Sequence, residues 1–155
     1  MDFINRKWGQ AMNFVGEILK AKGYDVWTVS SDSTVYDALQ EMADRNVGAL
    51  LVIEGDRLVG VFSERDYARK VILHGKASKE TFVKEIMSTE VFWVRPDQTV
   101  EDCMQLMTNK RVRHLPVLDE GRLVGVISIG DAVKAIISEK EFAIQQLEQY
   151  ITGGR

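Results

Sequence analysis

Two short strings in this 155-residue chain carry residue types suited to binding a ligand. Gly60-Val61-Phe62-Ser63-Glu64-Arg65-Asp66 and Gly125-Val126-Ile127-Ser128-Ile129-Gly130-Asp131 each set a hydroxyl three residues ahead of a carboxylate, directly after an apolar run. At a strand-to-helix junction Ser-x-x-Asp can do two jobs. As a capping box, its oxygen and carboxylate satisfy backbone N–H groups that the first turn leaves unpaired, which is the plainer reading of the tetrad alone. As a binding element, the N–H groups attract a phosphate while the carboxylate accepts hydrogen bonds from vicinal ribose hydroxyls. Both can hold at once.

A third string, Lys110-Arg111-Val112-Arg113-His114-Leu115-Pro116-Val117, is basic. Arg113 offers bidentate phosphate recognition, against the alternative of a solvated basic patch. His114, with an ordinary pKa near ~6.5, is expected to strengthen phosphate binding as pH falls from about 8 to 6, partly offset by the phosphate's own ionisation. Cys103 falls on an apolar helix face and reads as core, His74 belongs to a polar connection, and Asp119-Glu120 lie in a turn. No nucleophile–base pair and no metal-ligand spacing is discernible, so the catalytic and metal sets are both read as none.

The elements that must position these residues come from an internal repeat. Shifting the chain by 65 positions aligns Val26–Ile72 with Val91–Ile137 without a gap, and 19 of the 47 pairs are identical. Upstream, Val15-Gly16-Glu17-Ile18-Leu19 matches Val83-Lys84-Glu85-Ile86-Met87 at an offset of 68, so the first copy holds three extra residues around Lys22-Gly23-Tyr24. Each copy predicts a short strand (Val26–Val29, Val91–Val94), a helix opened by Thr34 or Thr99, a hairpin (Ala49–Ile53 with Leu58–Phe62, Leu115–Leu118 with Leu123–Ile127) and a helix opened by Ser63 or Ser128. The unit is thus β-α-β-β-α. About 60 residues bury only ~60% of their surface alone, so two such units are expected to share one pseudo-twofold α+β module of two layers.

The expected organisation is an N-terminal extension at 1–14, the first repeat at 15–73, a linker at 74–82, the second repeat at 83–138 and a helical extension at 139–155. After Asp131, Val133, Ile136, Ile137, Ile144, Leu147 and Ile151 recur at near-helical spacing that runs on into this extension, and Gly153-Gly154-Arg155 is expected to end the helix. The apolar stripe calls for a surface, and a partner subunit is the expected one. Where the second repeat has Arg113 and His114 the first has Gly48 and Ala49, with the neighbouring apolar residues kept. Folding therefore did not require the charge.

A formal charge of −3 and a pI near 5.5 disfavour a nucleic-acid partner, and a single cysteine excludes an intramolecular disulfide. Met1–Trp8 shows no apolar signal region, and the longest run without a polar side chain, Val47–Ile53, is far short of the ~18 residues that span a bilayer. The expectation is a cytoplasmic protein with no membrane partner.

Pro96-Asp97-Gln98-Thr99-Val100, Arg113-His114-Leu115-Pro116-Val117 and the two Gly-x-x-Ser-x-x-Asp strings together resemble a tandem pair of cystathionine-β-synthase-type (CBS) domains, a Bateman module, over Val15 to Ile137. The chain is similar to small stand-alone prokaryotic members related to inosine-monophosphate dehydrogenase, without that enzyme's catalytic barrel. The resemblance implies two clefts for an adenosine-containing ligand: AMP first, otherwise ATP, ADP, NAD(H) or S-adenosylmethionine. It implies that Asp66 and Asp131 grip ribose, with Ser63, Arg65 and Ser128 beside them. Trp27, Thr28, Ser30 and Val61 would flank adenine in the first cleft, whose phosphate Arg113 and His114 would serve. Phe92, Trp93, Arg95 and Val126 would line the second, where the phosphate side offers only Gly48 and Ala49 unless Arg95 or Lys134 supplies charge. The implied function is a non-catalytic regulatory sensor, homodimeric, acting on a separate protein. The alternatives are a dimerisation module with vestigial clefts and, third, an enzyme acting on a nucleotide.

Overall fold

The computed structural model describes residues 13–152. The predicted signal-free start, Met1–Trp8, and the Gly153-Gly154-Arg155 stop lie outside them. The chain forms mixed helix and sheet divided between two compact units, one holding Val26–Val91 with Gly121–Leu123, the other holding residues 13–25, 92–120 and 124–152.

In the first unit, β1 (Thr28–Ser30) runs parallel to β2 (Ala49–Glu54), which pairs antiparallel with β3 (Arg57–Ser63). Helix α2 (Val35–Arg45) starts where Thr34 Oγ1 accepts from Asp37 N at 3.1 Å. It ends at Asn46, whose left-handed backbone (φ 55) lets Val47 N donate back to Met42 O at 3.0 Å. After β3 come one turn, α3 (Glu64–Asp66), and a π-helical segment, Tyr67–Ile72. The core is Val35, Ala38, Met42, Leu50, Val52, Phe62 and Val71, closed by Val83 and Ile86 of the short α4 (Val83–Ile86). The connection after His74 is built into this unit: Thr81 O accepts from Val35 N at 2.8 Å and Ser78 O from Tyr36 N at 3.0 Å, so it satisfies the first turn of α2.

The second unit repeats the plan with α5 (Val100–Lys110), capped by Thr99, and the hairpin of β4 (His114–Asp119) and β5 (Arg122–Ser128), which leads into α6 (Ile129–Thr152). At 24 residues α6 runs well past the helical turns that follow Ser63, as the apolar periodicity predicts. The expected strand Val91–Val94 shrinks to a single parallel bridge from Val94 to Val117. In the first unit Leu51 N donates to Trp27 O at 3.2 Å; the equivalent of Leu51 is Pro116, which has no N–H, so the ladder loses that rung.

The core of this unit includes Val15, Ile18 and Leu19 of α1 (Val15–Lys22) together with Val100, Cys103, Met107, Leu115, Val117 and Ile127. The helix that precedes the first repeat in sequence therefore packs with the second repeat, and the helix that precedes the second packs with the first. Burial pushes the Cys103 thiol up to about 11, with Asp102 and Glu101 adding to the shift. A thiol held protonated inside a core is not a nucleophile. No described helix is long and apolar enough to cross a membrane.

Candidate functional site

Both Ser-x-x-Asp strings form the caps that their spacing predicts. Ser63 Oγ accepts from Asp66 N at 3.2 Å, and Asp66 Oδ2 accepts from Ser63 N and from Ser63 Oγ, each at 3.0 Å. Asp66 Oδ1 lies 3.2 Å from Lys70 Nζ, one turn on. In the second unit Ser128 Oγ accepts from Asp131 N at 3.0 Å and Asp131 Oδ2 accepts from Ser128 N at 2.8 Å. Both aspartates are partly buried, and each is fixed in direction by its cap.

The second carboxylate has a partner that the repeat comparison does not reveal. Lys22 Nζ donates to Asp131 Oδ2 at 2.6 Å and to Val126 O at 2.8 Å. Lys22 belongs to the three-residue insertion that gives the first copy its different offset, which was the only signal in the sequence that it stands apart. Burial pushes the Asp131 carboxyl up, but the hydrogen bonds from Lys22 and the Ser128 backbone outweigh it and hold the group below its ordinary range. A carboxylate whose folded pKa is depressed contributes stability that is present above its unfolded pKa of ~3.9 and is lost as pH falls through the lower, folded value. Asp131→Asn should therefore melt below the parent at pH 7, the gap closing only below about pH 4, measured by thermal melts across pH 2–7.

Arg113 and His114 lie beside the second cap: Ile129 N donates to Arg113 O at 2.8 Å. Among the described residues Arg113 makes no ion pair. His114 departs from the expectation of an ordinary titration. Desolvation lowers its pKa first and the charges of Lys22 and Arg113 lower it further, against an upward pull from Asp131. The ring is thus neutral at pH 7, and the window in which it gains charge moves below ~6.5, not across pH 8 to 6. At the matching place in the first unit, Glu64 N donates to Gly48 O at 3.0 Å and Ala49 pairs with Ser63.

Other expected contact residues are dispersed along the same elements. Thr28 and Ser30 lie on β1, and Val61 on β3 is bridged to Ser88 by two bonds of 2.9 Å. Arg65 is exposed on α3. Trp27 has the Arg45 guanidinium 4.3 Å above its ring, and its counterpart Phe92 has the Lys110 ammonium at 5.2 Å. One face of each ring is therefore already covered, a cation–π pairing that sequence reading missed. Trp93 and Lys134 are exposed, and Val126 and Ser128 end β5. Arg95, one of the two conditional sources of charge for the second cleft, has its Nε 3.0 Å from Asp97 Oδ1 in an exposed pair. A groove of about 580 Å³ in the first unit is lined by Leu39, Met42, Gly48, Glu64 and Tyr67 among others, without Ser63 or Asp66. No group of three or more His, Cys, Asp or Glu side chains is placed to hold a metal among the described residues.

The glycines that open the two strings serve packing. A Cβ on Gly60 would lie 2.7 Å from Met87 Sδ and 2.8 Å from Ser88 O; one on Gly125 would lie 2.7 Å from Leu19 Cδ2. Each admits the helix that comes from the other copy's flank, α4 or α1.

A duplicated helix–hairpin–helix unit with a capped carboxylate at the same junction in each copy defines a tandem repeat. The model of the CBS domain matches residues 15–72 and again 83–138, and the chain belongs to that family. It is 41% identical over 150 residues, 90% of this chain and 72% of the other, to the mitochondrial CBS domain-containing protein CBSX3 of Arabidopsis thaliana. A candidate signal-transduction protein with CBS domains from Burkholderia ambifaria is 52% identical, with a TM-score of 0.75 over 81% of this chain and 95% of its own. The CBS-domain containing protein ATU1752 of Agrobacterium tumefaciens is 39% identical, with a TM-score of 0.74 over 83% and 96%.

Proposed function

We propose that this protein is a non-catalytic sensor of adenine nucleotides, with AMP the preferred ligand ahead of ATP, ADP, NAD(H) and S-adenosylmethionine. On this reading it acts in the cytoplasm as a homodimer that transmits occupancy to a separate protein. The observation that carries the reading is the repetition of one geometry: a partly buried carboxylate, held by its own serine at a strand-to-helix junction, in both copies. Asp66 and Asp131 are the ribose ligands, and Arg113 supplies charge for phosphate, joined by His114 only where the pH falls below ~6.5. A sensor needs a ligand with different affinities for two arrangements, since equal binding shifts neither.

Isothermal titration with AMP, ATP and NADH tests the reading. Asp66→Ala and Asp131→Ala should each weaken AMP by roughly ten- to a hundredfold at one site, the scale of ~1.5–3 kcal/mol for a charged hydrogen bond. Each variant also loses a cap worth ~1 kcal/mol, so binding is measured well below its melting temperature. Unchanged AMP affinity in both would remove the ribose assignment. One observation favours a second reading, a dimerisation module with vestigial sites: both carboxylates are already engaged, Asp66 by Lys70 and Asp131 by Lys22. Absence of heat with all three ligands at millimolar concentration would select it.

A further inference from the structure

Helix α6 carries along most of its length an apolar face that its own unit leaves uncovered. Val133, Ile137, Ile144, Leu147 and Ile151 are 43%, 51%, 55%, 62% and 65% exposed. Together with Lys140 they occur at successive intervals of four, three, four, three and four residues. That alternation of four and three is the spacing of a coiled-coil seam, in which side chains of one helix enter holes between side chains of another. From Val133 to Ile151 the seam is about 27 Å long at 1.5 Å per residue.

We infer that this face binds the same face of a second copy, antiparallel, as a two-helix coiled coil. Charge selects the orientation. In a parallel pair each Lys140 stands opposite its own copy across the seam, and two ammonium groups meet in a partly desolvated layer. Reversing one helix sets Lys140 against the second copy's Ile144, with the second copy's Glu141 three positions along the flank, within one helical turn. The remaining layers then pair Val133 with Ile151 and Ile137 with Leu147, so no layer sets two like charges against each other. The surface is thereby self-complementary about a twofold axis, as a closed dimer requires. This inference is independent of any nucleotide, since every measurement below is made without one.

Sedimentation of the full chain should show a dimer whose dissociation constant rises at least about tenfold in Ile144→Glu, the scale expected when a central interface anchor is lost. Deleting everything after Glu139 should loosen it similarly. Lys140→Glu should weaken the dimer by setting two acidic side chains together, and Lys140→Glu combined with Glu141→Lys should recover it. Orientation is read by cross-linking, for which the buried Cys103 stays silent. Ile137→Cys and Leu147→Cys chains should form a disulfide when mixed and oxidised, and neither should do so alone. A Leu147→Cys chain that links to itself would overturn the antiparallel pairing. A dimer unchanged by Ile144→Glu, a chain that never dimerises, or no disulfide in the mixture would overturn the interface itself.

Discussion

Gly60→Ala is expected to lower the stability of the protein by about 1–3 kcal/mol, the cost of forcing one methyl group into a filled contact. For a domain of this size that corresponds to a fall in Tm of roughly 2–12 °C. The added carbon would stand 2.8 Å from a backbone oxygen, Ser88 O, which accepts a hydrogen bond of 2.9 Å from Val61 N. Relief would have to move backbone and stretch that bridge. At the equivalent Gly125 the obstacle is the end of the Leu19 side chain, which can turn aside at smaller cost. Gly125→Ala should therefore melt above Gly60→Ala. Equal melting temperatures in calorimetry would mean that the approach of Ser88 is not what requires glycine.

The second large effect is expected at Arg113. Arg113→Ala should weaken AMP by roughly ten- to a hundredfold, the equivalent of ~1.5–3 kcal/mol, while adenosine, which lacks the phosphate, loses little. The residue is exposed and has no ion-pair partner among the described residues, so truncation removes charge without leaving another group unpaired. Its tie to the fold runs through the backbone, Ile129 N to Arg113 O at 2.8 Å, which alanine keeps. Equal losses for AMP and adenosine in paired titrations would show that Arg113 supports structure and does not meet phosphate. The neutral state of His114 adds a pH signature. A phosphate beside the ring raises its lowered pKa, so AMP should bind more tightly as pH falls below ~6.5. His114→Ala should flatten that rise.

Much of this architecture is written in local pattern. The threonines and serines that open helices act through N–H groups three residues away, so Thr34, Ser63, Thr99 and Ser128 can be read from neighbours alone. The apolar spacing of Val35, Ala38 and Met42 marks a buried helix face for the same reason, and the lengthening of α6 follows from continued periodicity. Even the loss of the strand at Val91 has a local cause in Pro116, although its effect appears only when the neighbouring strand is known.

Which core each flanking helix enters is a different matter. Val15-Gly16-Glu17-Ile18-Leu19 and Val83-Lys84-Glu85-Ile86-Met87 show the same apolar spacing, and the glycines that admit them, Gly60 and Gly125, each sit in the same pentapeptide, Arg-Leu-Val-Gly-Val. Either helix satisfies either groove by pattern, so the sequence determined that two such packings exist, and only the path of the chain decided that α1 joins the second repeat and α4 the first. The pairing of Lys22 with Asp131 follows from that choice. The two residues are 109 positions apart, and no rule of spacing connects them. The charge state of the second carboxylate, and with it that of His114, was therefore set by tertiary structure, because electrostatic coupling depends on distance in space and not on separation along the chain.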